Sequence, residues 1–268
     1  MIIKGDIRYK EELIELWNEV FGDGLSYIEL FFEKQYSRCE TFCLKEDEKI
    51  VSAFYLLPCY LSYKDKTYQG RYLYAAATYE KYRGRKIMSQ LIEEAEGYCK
   101  NNGLDFIALL PADEGLYNYY SRFGFHTAMY KYRTLITDKD KGTHNSFKNN
   151  DSIDFNRIEE MRASIKGDKL LFYAAELEYI ITSMKSYGCN VYYDSDKFFI
   201  YNEDDSTIEE YIGNTDVSLS DLTDGTVMYT PTPSVGYAIS EKVKFGMICP
   251  INSNLEECVD IYMNLALD

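Results

Sequence analysis

No apolar run among the 268 residues reaches the ~20 that a membrane-spanning helix needs. The best candidate, V-S-A-F-Y-L-L-P-C-Y-L at 51–61, is too short and holds a proline. The opening M-I-I-K-G-D-I-R lacks the continuous apolar core of a secretory signal. A cytoplasmic protein is therefore expected. Its seven cysteines (39, 43, 59, 99, 189, 249, 258) form no C-x-x-C pair, so reduced thiols packed as small hydrophobes are expected. His126 and His144 have no partner at triad or metal-ligand spacing, and no metal is expected. Positive charge is scarce, 29 Lys and Arg against 44 Asp and Glu, a net −15. That balance argues against nonspecific binding to nucleic acid or to an anionic membrane. It favours a cationic ligand wherever the acids gather at a site.

What the chain does have is 46 % hydrophobic residues and 27 tyrosines, the composition of packed globular structure. Tyrosine-rich faces suit self-association into a homo-oligomer. The length allows two domains. Residues 2–7 read as a first strand. Leu13, Ile14, Trp17, Val20 and Phe21 recur at helical spacing before a stop at Gly22. A second helix carries Tyr27, Leu30, Phe31 and Tyr36 on its apolar side. Strands are expected at 41–44, 50–63 and 68–78, a helix at 86–101, a buried strand at 106–110, a short helix at 116–122 and a strand at 125–135. This is a mixed α/β unit, expected over 1–137. Residues 138–151 are polar and lack periodicity, as a linker would. A smaller α+β domain is expected over 152–268, with a helix at 170–184, short strands at 191–193, 197–201, 208–212, 227–229 and 245–249, and a closing helix at 255–265.

One stretch concentrates the scarce positive charge. Y-R-G-R-K-I-M-S-Q-L at 82–91 sets three cations and a glycine ahead of an amphipathic helix. The N–H groups of a helix start seat an anion. Just upstream, Y-L-Y-A-A-A-T at 72–78 ends a strand in small side chains that let a ligand lie along the backbone. A ligand of amides followed by a diphosphate fits coenzyme A. An ordinary basic helix start fits these residues equally well.

Further motifs shift the balance. Over residues 2–135 the sequence resembles the GCN5-related N-acetyltransferase (GNAT) superfamily, in which a strand enters an R-x-x-G-x-G/A loop that binds the acetyl-CoA diphosphate. Arg83 and Gly84 match that loop, followed by Arg85, Lys86, Ile87 and Met88. Lys86 stands where the family has its second glycine. The family's Y-x-x-x-G-F motif is matched by Tyr120, Gly124 and Phe125. L-L-P-A at 109–112 falls where the next strand splays to admit the cofactor. The R-F-G-F ending at 122–125 resembles the branch of the bacterial enhanced-intracellular-survival acetyltransferases. That branch adds a degenerate GNAT-like domain, and a third domain for which this chain is too short.

The resemblance implies direct transfer of an acetyl group from acetyl-CoA, the cosubstrate, to a primary amine of a small molecule, and the acidic composition favours a cationic one. Tyr120 is implied as the acid beside the leaving thiolate. The backbone at Ala76, Ala77 and Thr78 is implied to hold the pantetheine arm, and residues 83–88 the diphosphate. Tyr117 and Tyr119 read as structural. No general base stands out; Glu29, Glu33, Asp113 and Glu114 lie on segments near the expected acceptor cleft. The alternative is a catalytically impaired acyl-CoA-binding sensor built on the same fold.

Overall fold

The computed structural model describes residues 1–135, 152–193, 197–213, 226–230 and 240–267. The expected linker at 138–151 lies outside them. The chain divides into two compact units. The first comprises Met1–Ala128, Gly246–Val259 and Leu267–Asp268, the second Met129–Phe245 and Asp260–Ala266.

In the first unit, strand β1 (Ile2–Lys4) is shorter than expected, because Asp6 caps a 3-10 turn over Ile7–Tyr9. Helix α1 (Lys10–Phe21) buries Leu13, Leu16 and Trp17, one stripe at i, i+3 and i+4, and ends at Gly22. Helix α2 (Leu25–Lys34) buries Ile28, Phe31 and Phe32. Strands β2 (Glu40–Glu46), β3 (Lys49–Tyr63) and β4 (Lys66–Thr78) extend the sheet antiparallel from β1. Helix α3 (Ile87–Asn101) follows the basic stretch and buries Ile87, Leu91, Ile92, Ala95 and Cys99. It returns the chain to β5 (Phe106–Leu109), which pairs parallel to β4. Gly70 sits opposite Phe106 in this pairing. A Cβ there would lie 2.4 Å from the Phe106 ring, so only glycine lets the two strands approach.

Helix α4 (Glu114–Tyr120) is capped by Asp113, whose Oδ1 accepts from the Leu116 N–H at 2.9 Å, and a 3-10 turn over Ser121–Phe123 closes at Gly124. Strand β6 (His126–Leu135) begins in the first unit and continues into the second. The first unit is completed from far along the sequence. Met247–Pro250, the end of β12 (Ser240–Pro250), pairs antiparallel with all of β5.

In the second unit β6 pairs with β11 (Val227–Thr230), which pairs parallel with β10 (Thr207–Ile212). Antiparallel strands β9 (Phe198–Asn202) and β8 (Cys189–Tyr193) follow. Helix α5 (Phe155–Ala163) gave no apolar period strong enough to be read from sequence. The helix expected at 170–184 splits into strand β7 (Lys169–Leu171) and helix α6 (Ala174–Ser186). The expected closing helix at 255–265 is instead a 3-10 turn over Ser253–Leu255 and strand β13 (Ile261–Tyr262). Asp260 lies between them at φ 61°, a conformation no α-helix accommodates, and β13 gains partners in β6 and β7. Arg162 and Glu210 form a fully buried ion pair at 3.1 Å, and the Tyr262 hydroxyl also donates to Glu210.

Candidate active site

The site in the first unit begins with a fault in β4. Ala53 pairs with Ala77 and Tyr55 with Tyr74, so β4 carries one extra residue at 75–76. Ala75 takes φ 49°, in the left-handed region that costs a non-glycine residue ~1–2 kcal/mol. Such bulges re-aim side chains. Here consecutive residues, Ala75 and Ala76, both face one chamber. On its other edge β4 pairs with β5 only from Gly70 to Tyr72. β5 ends at Leu109, and Pro111, which has no N–H to give, follows. The two strands part there, as the L-L-P-A segment led us to expect.

Beyond β4 the chain turns at Gly84, where φ is 77°, and enters α3 through Lys86 at φ 59°, ψ 21°. Position 86 therefore demands a left-handed residue, the physical reason a glycine suits it, and lysine meets the demand with strain. No side chain caps α3. Its first internal bond runs from the Gln90 N–H to the Lys86 carbonyl, which leaves the N–H groups before it without helical partners. Met88 and Ser89 line a cavity of about 870 Å³ together with Arg83, Gly84 and Lys86. Three cations, Arg83, Lys86 and Arg122, face this space against one carboxylate, Glu93. Arg83 is oriented by its Nε, which donates to the Thr78 carbonyl at 3.1 Å.

A second chamber of about 300 Å³ lies between β4 and the segment after β5, closed by Trp17, Phe21 and Asp23 at the end of α1. Phe21, Ala76, Leu116 and Tyr120 line both spaces. Tyr120 thus stands at their junction. Its ring packs against Tyr119 at 5.3 Å and Phe125 at 5.7 Å. Burial, with a smaller contribution from neighbouring Tyr119, pushes its hydroxyl pKa well above the ordinary tyrosine value. The phenol therefore keeps its proton throughout the neutral range and acts as a hydrogen-bond donor.

Most of the residues singled out in the sequence converge. Ala76, Thr78, Arg83, Gly84, Lys86, Ile87, Met88 and Tyr120 all line the larger cavity. Ala77 and Arg85 do not. Ala77 is buried and lines neither space. Arg85 is spent elsewhere, its Nη2 on both oxygens of Glu46 at 2.8 and 3.0 Å and its guanidinium over the Tyr82 ring. Tyr119, read as structural, lines the larger cavity, whereas Glu29, Glu33, Asp113 and Glu114 line neither space. Asp23 was missed. It sits in a G-D-G turn with no distinguishing pattern, and only its place in space marks it. His126 Nε2 lies 2.8 Å from the Cys258 carbonyl oxygen. His144 lies outside the described residues. Among those residues no cluster of metal-ligating side chains occurs, and no helix is long and apolar enough to cross a membrane.

Residues 3–128 match the family described as Acetyltransferase (GNAT) domain. This segment is a GNAT acetyltransferase domain. No curated protein sequence matches the chain. Among solved structures, an Enterococcus faecalis protein described as a probable N-acyltransferase shares the fold over 94 % of this chain and 72 % of its own, with TM-score 0.73 and 16 % identity. A GCN5-related N-acetyltransferase from Kribbella flavida gives TM-score 0.71 at 14 % identity, over 94 % of this chain and 73 % of its own. Eis1 from Mycobacterium abscessus gives 0.65 at 8 % identity, over 94 % and 74 %. At these identities the likeness is one of fold. It extends beyond the GNAT domain to the two-unit architecture, and the GNAT domain supports an acyltransferase.

Proposed function

We propose that this GNAT protein is an acetyl-CoA-dependent N-acetyltransferase acting on a primary amine of a small cationic molecule. The observation that carries the reading is the junction at Tyr120. A large cationic cavity at a helix start meets a small, mostly apolar chamber there. The diphosphate is assigned to the α3 entrance, where open N–H groups, Arg83 and Lys86 supply positive charge. The pantetheine arm is assigned to β4 where it has lost its neighbour, at Ala76 and Thr78. This brings the thioester to Tyr120 and the acetyl group to the mouth of the chamber.

The amine must be neutral when it attacks, so an amine that enters as ammonium gives up one proton first and a second on forming the amide, while the thiolate leaves with its charge stabilised. Tyr120 serves the second need. With its pKa raised above that of a thiol, it stabilises the thiolate as a donor, and full proton transfer to sulfur is uphill. Arg83→Ala combined with Lys86→Glu is expected to weaken acetyl-CoA binding at least tenfold in a calorimetric titration. Unchanged affinity removes the loop from the reading.

A further inference from the structure

The chain's acidic balance favours a polycationic acceptor; the chamber itself does not. Among the described residues, Asp23 is the only charged one on its wall. The rest is aromatic and aliphatic, with Trp17, Phe21, Leu73, Tyr74, Leu109 and Leu110 as the larger pieces. The Asp23 carboxylate is fixed in place, its Oδ2 accepting from Trp17 Nε1 at 2.7 Å. Trp17 is itself locked by rings on three elements, with Phe31 at 5.1 Å, Tyr74 at 5.3 Å and Tyr55 at 5.4 Å. A volume of about 300 Å³ stands at the lower limit of ligand sites, roughly 300–1,000 Å³, and the acetyl group must share it.

On the reading that this chamber receives the acceptor, we infer that the acceptor is a small primary monoamine with an apolar body, its ammonium held against Asp23 in the chamber lined by Trp17 and Tyr74. One fixed carboxylate neutralises one ammonium, and the surrounding apolar wall takes up the body of the molecule. A second ammonium on the same molecule would be desolvated against Leu73, Leu109 or Leu110 with no partner among the described residues, a penalty larger than the packing gain. A single ring or short chain fills the space.

Trp17 is the chain's single tryptophan, so amine binding is readable from its fluorescence without acetyl transfer. 2-Phenylethylamine is expected to change Trp17 emission saturably, and spermidine to bind at least tenfold more weakly. Asp23→Asn keeps an acceptor for Trp17 Nε1 and is expected to weaken phenylethylamine binding at least tenfold, with acetyl-CoA affinity by calorimetry unchanged. The inference is overturned by tighter binding of spermidine, by equal binding to Asp23→Asn, or by no saturable response to phenylethylamine. Thiol release from acetyl-CoA, followed in parallel, separates the two claims. Binding of phenylethylamine without thiol release leaves the chamber's selectivity standing and removes the acetyltransferase reading. Thiol release with spermidine preferred does the reverse.

Discussion

Lys86 offers a test of the loop entering α3, and of the diphosphate site proposed there, that separates backbone strain from charge. At φ 59°, ψ 21° it holds a conformation reached without penalty only by glycine. Replacing it by alanine removes the ammonium and keeps the strain; replacing it by glycine removes both. The left-handed penalty for a residue with a Cβ is ~1–2 kcal/mol, and the extra freedom glycine gives the unfolded chain returns ~0.5–1 kcal/mol of it. Lys86→Gly is therefore expected to be more stable than Lys86→Ala by about 0.5–1 kcal/mol. In a chain of this size that raises Tm by ~1–4 °C. Scanning calorimetry or denaturant titration of the first unit's transition reads the difference directly. Both variants lose the same ammonium, so both are expected to bind acetyl-CoA more weakly than the parent and equally with one another. If the glycine variant melts at or below the alanine variant, position 86 is not strained. If it then binds acetyl-CoA like the parent, neither feature of Lys86 bears on the ligand.

Tyr120→Phe is expected to lower turnover at least tenfold with cofactor affinity nearly intact; unaffected turnover means that water stabilises the thiolate. Burial pushes the thiols of Cys43, Cys99 and Cys249 up to about 12 and that of Cys189 up to about 11. The unfolded chain then loses those protons first, so the contribution is complete below pH ~8.5 and declines as pH rises toward the folded values. Stability measured by urea titration is expected to be flat from pH 7 to 8.5 and to drop by several kcal/mol by pH 10.5, and a flat profile across that range contradicts the burial of these thiols. Of the seven cysteines six are buried and Cys39 is partly open. Iodoacetamide is therefore expected to label Cys39 first in the native protein, as peptide mass mapping will read. Arg162→Met strands the Glu210 carboxylate in the second unit's core and is expected to cost ~3–5 kcal/mol, with Arg162→Met/Glu210→Gln recovering much of it. Equal stability of the single and double variants contradicts a coupled pair.

The local elements of the first unit were legible because each depends on neighbours in sequence. The spacing of Leu13, Trp17 and Phe21 defines one helix face, Gly22 stops it, and Arg83-Gly84 ahead of an apolar period marks a turn into a helix. The register of Tyr120 with Gly124 and Phe125 is likewise a matter of spacing along the chain. The C-terminal region was less legible, since Leu170–Leu171 and Ile261–Tyr262 are short apolar runs that suit strand and helix alike. Partners far away in sequence decided for strand.

The sequence alone determined the mixed α/β class and the segment that gathers cations. Tertiary structure decided which of those residues line the cavity. A one-residue bulge at 75–76 breaks the strand's alternation and turns Ala75 and Ala76 to the same chamber. Glu46, 39 residues away, takes Arg85 out of the cavity. Asp23 becomes the chamber's single charge among the described residues only because the end of α1, β4 and the segment after β5 meet there. Periodicity encodes which face of an element is apolar. The charge and volume of a cavity are set by segments that meet only when the chain has folded.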